Sequence, residues 1–583
     1  MGIKYFFGWM RKTFVNHIKT VRANDNIKDI VDVDTFLIDM NGIFHYCCQK
    51  TYEYGSFRHL RDNEKNYEKK ITSSQRQKYL MKMVGNYLDR LIRFVKPRQR
   101  VVMAIDGPAP LSKQTQQRSR RYRSARDNED GMFDSNAITP GTEFLDHLSK
   151  YIDWHIRTRV SDGTWGENIE VIFSSEKSPG EGEHKLVKYV RDHGDEKETY
   201  MMHGMDADLV MLSLATHKPN FHILRDNPYR YEYEYYYIDL KSIRENLVNA
   251  LLCEQSLNED KIYINDFIAM IFLTGNDFLP HLPTIEILEG GIDQLFDSYR
   301  KVVKAYGPIT SEINTLELKS LQHFIGTLSL RQEECLREKR SKTLNFPDRL
   351  LEKHTSLVGY QTYNDEEKDE KTPLFSIDFA SYRNEYYTTK MKCKDEKQIE
   401  HACHQYIDGL QWVLTYYTRG VTDWRWHYEY DYAPFLSDIA NAFNTYQTYL
   451  ENKKFIPNER REPYPPFLQL LCVLPPKSRN LLPHPLNDVM VSHSLSEFYP
   501  EMFDVDMDGK MNDWEGVVIL PKLKLQKIEK EYEKNVKLVD DREKRRNIIG
   551  KSFVYRQGMN PYVFKSYYGN ITECTANSSI FNL

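Results

Sequence analysis

Residues 101–126 read VVMAIDGPAPLSKQTQQRSRRYRSAR. An apolar run leads straight into Asp106, two prolines follow, and six cations then fall within fourteen residues, Lys113 to Arg126. An uninterrupted apolar run closed by Gly and Pro reads as a strand buried on both faces. The cationic stretch after Pro110 reads as a helix with Ser112 as its N-cap. At about 100° per residue, Lys113, Gln117, Arg120 and Arg121 fall within an arc of roughly 100°, while Arg118, Arg123 and Arg126 point elsewhere. No acid stands between Asp106 and Asp127. A solvated surface helix would mix its signs, so the face of three cations and one amide is read as a pocket for a phosphate.

Outward from this stretch the same texture repeats. TFLIDM, from Thr35, is another apolar run ending in Asp, and EVIFSS, from Glu170, is a third. ADLVMLSLATH and NDFIAMIFLTGNDF are longer and read as helices or mixed segments. Strand-like and helix-like segments alternating over residues 1–325 predict an α/β fold around a mostly parallel central sheet flanked by helices. Asp39 and Asp106 then sit at the C-terminal ends of their strands, where open α/β sheets place ligands. Over 326–400 the sequence becomes charge-dense, as in LRQEECLREKRSKT and NDEEKDEKT, and reads as an exposed helix and a solvated connector. A second, aromatic-rich ordered region spans 401–525, and a charged helix with a polar tail closes the chain over 526–583.

Seven acids stand out: Asp39, Asp106, Glu181 and Glu183 in PGEGEH, Asp206 and Asp208 in GMDADL, and Asp277 in LTGNDFLPHLP. The pairs at i,i+2 point the same way on extended backbone, which Gly180, Gly182 and Gly204 allow. Any one of these acids reads equally as a cap or a turn residue. Together they read as a ligand cluster, because converging carboxylates repel unless cations lie between them. Oxygen-only donors select Mg²⁺ or Mn²⁺, and two such cations suit phosphodiester hydrolysis, one to generate hydroxide and one to stabilise the leaving oxygen.

Bulk composition narrows the class. The chain has 583 residues and a net charge of −4, so a nucleic-acid binder would have to work through a local patch. Its eight cysteines form no CxxC pair, which speaks against a zinc ribbon or a disulfide frame and for a reducing compartment. There is no signal peptide and no membrane-length apolar run, and MGIKYF lacks the Ser or Thr that myristoylation wants at position 6. The expectation is a soluble intracellular protein. Asp504–Glu515, DVDMDGKMNDWE, fits an EF-hand loop, but the GVVILP that follows reads as a strand and not a helix. YRYEYEYYY places Tyr229, Tyr231, Tyr233, Tyr235 and Tyr237 on one strand face, read as packing aromatics rather than a base-stacking platform. HACHQ, with His401, Cys403 and His404, has no second ligand pair for zinc.

At this point the motifs meet a known family. DMNGIFH, AIDGPAPLSKQTQQRSRR, TPGTEFL, PGEGEHK, GMDADLVMLSLATH and LTGNDFLPHLP resemble, in order, the N-terminal region of the XRN 5′→3′ exoribonucleases. GLQWVLTYYTRGVTDWRW, APFLSDI, LQLLCVLPPKS and DWEGVVILP resemble the family's second region. The resemblance implies a flap/PIN-nuclease-like catalytic core with a mainly helical second region docked on it to complete the active-site cleft. It implies that the seven acids bind two divalent cations and that Lys113, Gln117, Arg120 and Arg121 hold a 5′-phosphate. His45 and Trp514 would stack the terminal bases. The implied activity is processive 5′→3′ hydrolysis of 5′-monophosphorylated single-stranded RNA by a cytoplasmic monomer, with decapping machinery as a partner and no membrane. A nuclear site or a viral origin also fits so compact a form. Asp431 stands where the family's pattern has His before YAPF, which bears on local hydrogen bonding rather than on the chemistry. The family's long C-terminal extension is not in this sequence. Two rivals are weighed, a flap-type DNA endonuclease and a silent RNA-binding scaffold. The first wants helix-hairpin-helix glycines near Asp277, where NDFLPHLP stands, and the second would have lost an acid.

Overall fold

Every residue of Thr35–Asp39 is buried, as a strand covered on both faces requires. The computed structural model describes residues 2–58, 73–127, 133–252, 260–342, 346–365, 368–453 and 461–583. Nine strands form one sheet: β1 (Ile18–Arg22), β2 (Thr35–Asp39), β3 (Arg100–Ala104), β4 (Glu170–Ser174), β5 (Tyr200–His203), β6 (Phe221–Asp226), β7 (Glu234–Asp239), β12 (Ser552–Phe564) and β13 (Ile571–Phe581). Their order is β1-β7-β6-β5-β2-β3-β4-β12-β13. The central run from β6 to β4 is parallel, and the strands added at both ends are antiparallel. Helices α1 (Met40–Tyr52), α2 (Ser73–Val95), α3 (Leu111–Asp127), α4 (Glu143–Ser161), α5 (Gly182–His193) and α6 (Leu209–Leu214) belong to the same region. Phe36, Ile38, Val101 and Met103 share its main core with Phe44, Leu88, Leu91 and Leu145 of the helices. The α/β class expected from the sequence is therefore present, with the parallel strands at its centre.

The chain divides into two compact units that interleave along the sequence. One comprises 14–243, 462–501 and 521–583, and the other 1–13, 244–461 and 502–520. These units cut across the stretches 1–325, 326–400, 401–525 and 526–583 suggested by composition. The reason is packing at a distance. Leu111 at the start of α3 shares a core with Phe467, Leu470 and Leu471, and with Ile528 and Tyr532 of the charged helix. The stretch read as a polar tail forms β12 and β13, and β12 pairs with β4 from Val171 to Phe173.

The second unit is mainly helical and aromatic. Trp412, on the helix Glu396–Thr418, stacks on Trp426 with centroids 4.9 Å apart and also meets Phe278. Within 326–400, Gln332–Lys342 is a helix with Cys335, Leu336 and Lys339 buried. The charged stretch 364–372, read as a solvated connector, falls largely in the hairpin of β8 (Thr355–Asp365) and β9 (Lys368–Ile377), while 366–367 lie outside the described residues. In the EF-hand-like stretch, β10 (Asp504–Asp506) pairs with β11 (Val517–Ile519), the strand expected from GVVILP. Asp506 and Asp508 of that loop both accept from Lys390 Nζ, at 2.5 and 2.6 Å. Asp431 lines a small cavity of this unit with Lys390 and Tyr432.

Candidate active site

Four neighbouring parallel strands, β5, β2, β3 and β4, end at one edge of the sheet, and an acidic segment follows each. Asp39 closes β2, and Asp106 lies two residues beyond β3. Glu181 and Glu183 open α5 after β4, and Asp206 and Asp208 lead from β5 into α6. The register aligns Asp39 with Ala104, and Ala104 with Ser174, so these ends are level. The carboxylates converge in two groups that share one member. Asp39, Asp106 and Glu183 form the first and Glu183, Asp206 and Asp208 the second, with ligand atoms in each within 4.8 Å of one another.

Backbone and amide donors fix this arrangement. Gly182 N–H donates to Asp106 Oδ1 at 2.7 Å, and Asn41 Nδ2 donates to Asp106 Oδ2 at 2.6 Å. The Asp106 N–H returns a bond to Asn41 Oδ1 at 3.0 Å. A Cβ on Gly182 would lie 2.6 Å from Asp39 Oδ1, so only glycine lets the start of α5 approach the acids this closely. Burial first, then Asp106 and Asp206, push the Asp39 carboxyl well above its ordinary range. Burial, Glu181 and Asp39 do the same to Glu183. Buried, mutually repelling, all-oxygen donors of this kind suit hard divalent cations, which would relieve the repulsion.

The cationic face predicted from helical periodicity is real. α3 begins at Leu111, so Ser112 lies inside its first turn and is not the N-cap. Lys113, Gln117, Arg120 and Arg121 line one cavity of 440 Å³ together with His45 and with Asp39, Asp106, Glu183 and Asp206. Lys113 pairs with Glu181, which explains why Glu181 stands outside both carboxylate groups. Arg121 donates through Nη1 to Thr139 Oγ1 at 2.6 Å and to Asn136 Oδ1 at 3.3 Å. Its Nε–H is buried with no acceptor among the described residues. Burial and then Arg120 bring its guanidinium down to about 9. Arg118 points away, donating to the carbonyls of Pro521 at 2.9 Å and Phe498 at 2.5 Å. His45, on α1, is pushed down to about 4 by burial, Arg120 and Arg121, so its ring is neutral at physiological pH.

Asp277 and Trp514 belong to the other unit. Asp277 is half-buried in a turn held by Asn276 Oδ1, which accepts from the N–H groups of Phe278 and Leu279 at 2.8 and 2.9 Å. Gly275 opens that turn at φ 90°, where a Cβ would meet His281 N at 2.8 Å. Trp514 is 43% exposed. Its ring leans on Tyr5 with centroids 5.4 Å apart. The sequence reading missed Asn41, although it stands in the quoted DMNG. It also missed Arg225, a half-buried cation on which Asp206 and Asp208 both act, for which no local sequence signal exists.

The family model described as the XRN 5′-3′ exonuclease N-terminus matches residues 1–227. The one described as the Xrn1 helical domain matches 257–376 and 346–580. The 5′-3′ exoribonuclease 1 of Homo sapiens is 31% identical over 89% of this chain and 33% of its own length. That of Schizosaccharomyces pombe is 28% identical over 95% of this chain and 50% of its own. The 5′-3′ exoribonuclease 2 homolog of Drosophila melanogaster is 27% identical over 97% and 74%. The chain thus spans a third to a half of the first two relatives.

Proposed function

The chain belongs to the XRN 5′-3′ exonuclease family, and from that premise we propose that it degrades 5′-monophosphorylated single-stranded RNA from its 5′ end, processively and one nucleotide at a time. The observation that carries this reading is a single cavity lined by both the carboxylates and the α3 cations. A chain end whose phosphate meets Lys113, Gln117, Arg120 and Arg121 would have its next phosphodiester near the acids. Two magnesium or manganese ions held by Asp39, Asp106, Glu183, Asp206 and Asp208 would polarise that phosphodiester and activate water.

The residues themselves supply binding and orientation. Arg121 offers the buried, unused Nε–H to a terminal phosphate oxygen, and Arg120 adds a second charge. Asn41 and the Gly182 N–H hold Asp106 in one orientation, so the donor set is built before substrate arrives. Neutral His45 would stack the first base and Trp514 another, without reading base edges. We place the protein in mRNA decay in the cytoplasm, acting as a monomer on ends that decapping machinery produces. No described helix is long and apolar enough to cross a membrane. The test compares RNA and DNA bearing a 5′-monophosphate, a 5′-hydroxyl or a cap, in Mg²⁺ and in EDTA. Monophosphorylated RNA in Mg²⁺ should be degraded far faster than the rest; equal rates on capped RNA or on DNA would contradict the proposal.

A further inference from the structure

The tyrosine run does not behave as a single strand face. Pairing with β6 begins at Asp226↔Tyr235 and pairing with β1 at Arg22↔Glu234, so β7 starts only at Glu234. Tyr235 and Tyr237 pack inward as expected, on Phe94 and on His222. Residues 227–233 instead form a connection in which Tyr229 and Tyr233 are 89% and 73% exposed. Neither ring packs on another ring among the described residues.

This connection is anchored. Glu232 accepts from Tyr46 Oη at 2.5 Å, Lys50 Nζ at 3.1 Å and Arg90 Nη1 at 2.9 Å. Tyr231 stacks on Tyr46 with centroids 4.4 Å apart and planes 14° from parallel. Tyr46 is the neighbour of the cavity residue His45 on α1. β6 runs parallel to β5, so the connection leaves the same sheet edge as the segment bearing Asp206 and Asp208. His203, at the end of β5, is held by Asp226 Oδ2 at 2.8 Å, tying the two strand ends together.

The surface chemistry suits a single-stranded nucleic acid. Two exposed aromatic rings stand either side of Arg230 in the sequence; its side chain, 68% exposed, pairs with Glu234, and Lys50, 36% exposed, pairs with Glu232 of the same connection. The acids of the region are engaged: Asp226 by His203 and Tyr87, Glu232 by its three partners, Glu234 by Asn227 and Arg230. We propose that residues 227–233 form a second RNA-contact surface beside the cavity, where Tyr229 and Tyr233 stack bases of strand not yet engaged. Rings on an anchored backbone lose little freedom on binding, and stacking is sequence-tolerant, as degradation of any sequence requires.

The proposal rests on the exoribonuclease reading, and its test separates the two. The double variant Tyr229→Ala/Tyr233→Ala should raise KM on a 5′-phosphorylated RNA of about twenty nucleotides by about thirtyfold or more and leave that for one of about four unchanged. Tyr229→Phe/Tyr233→Phe should behave as wild type, because the stacking faces remain. Fluorescence anisotropy of the longer RNA in EDTA reads the same contact without turnover and should show the same loss. Absence of hydrolysis by the wild type would sink the enzyme reading and leave the anisotropy to judge this surface. Unchanged affinity for the longer RNA in the alanine pair, as a protein-docking patch would give, or equal losses on both lengths, would overturn the proposal.

Discussion

Replacing Arg121 with Gln tests end recognition where the structure makes the sharpest demand. Arg121 spends Nη1 on Thr139 and Asn136 and keeps a buried Nε–H with no acceptor among the described residues. Burial and Arg120 hold its guanidinium down to about 9, a strain that a bound phosphate dianion would relieve. A charge-assisted hydrogen bond contributes about 1.5–3 kcal/mol, so Arg121→Gln should lower kcat/KM on monophosphorylated RNA by about 10- to 150-fold. The 5′-hydroxyl RNA brings no dianion and should lose no more than about threefold. Glutamine can still bond Thr139 and removes a buried charge facing Arg120, so the melting temperature should hold or rise. The assay is initial rate against RNA concentration for both end groups, with a thermal melt of each variant. Equal losses on the two substrates would refute a terminal phosphate pocket and leave a general phosphate track. A fall in melting temperature with selectivity intact would make Arg121 structural.

Other outcomes follow from the same geometry. Arg118→Ala, which loses two bonds to carbonyls, should destabilise the fold by about 2–4 kcal/mol yet preserve the preference for a 5′-phosphate, read by chemical denaturation and the end-group assay. Glu183→Gln removes the acid common to both carboxylate groups; it should abolish turnover and the thermal stabilisation by Mn²⁺ while RNA binding in EDTA persists, and a retained Mn²⁺ shift would argue against the shared ligand. Trp514→Ala should turn long runs of cleavage into short ones, seen with an unlabelled trap, and because Trp514 is 43% exposed the melting temperature should barely move. His45 titrates near 6.5 when unfolded and near 4 when folded. Its contribution is therefore present above about pH 6.5 and lost as pH falls toward 4, so His45→Phe should flatten the pH dependence of the melting temperature across that window.

What could be read from sequence was whatever local periodicity encodes. TFLIDM and VVMAID declare buried parallel strands because both faces are covered, and the acids then fall at their ends by topology. The α3 face was readable because 3.6 residues per turn gathers Lys113, Gln117, Arg120 and Arg121 and excludes Arg118. Partners chosen across the fold were not readable. Nothing near Glu181 says that Lys113 will take it, and nothing in the sequence of β12 says that it will extend the sheet beside β4. Tyr229 and Tyr233 alternate with Tyr235 and Tyr237 as one strand face would, but the strand begins only where β1 and β6 offer partners.

The most direct measurement follows the first product. RNA carrying a labelled 5′-monophosphate is incubated with the protein and Mg²⁺, and the labelled species is resolved by thin-layer chromatography. If the carboxylates and the α3 cations act on one chain end within one cavity, labelled nucleoside 5′-monophosphate appears from the earliest time point and is the sole labelled product. Labelled oligonucleotides appearing first would mean internal cleavage, and would contradict the account.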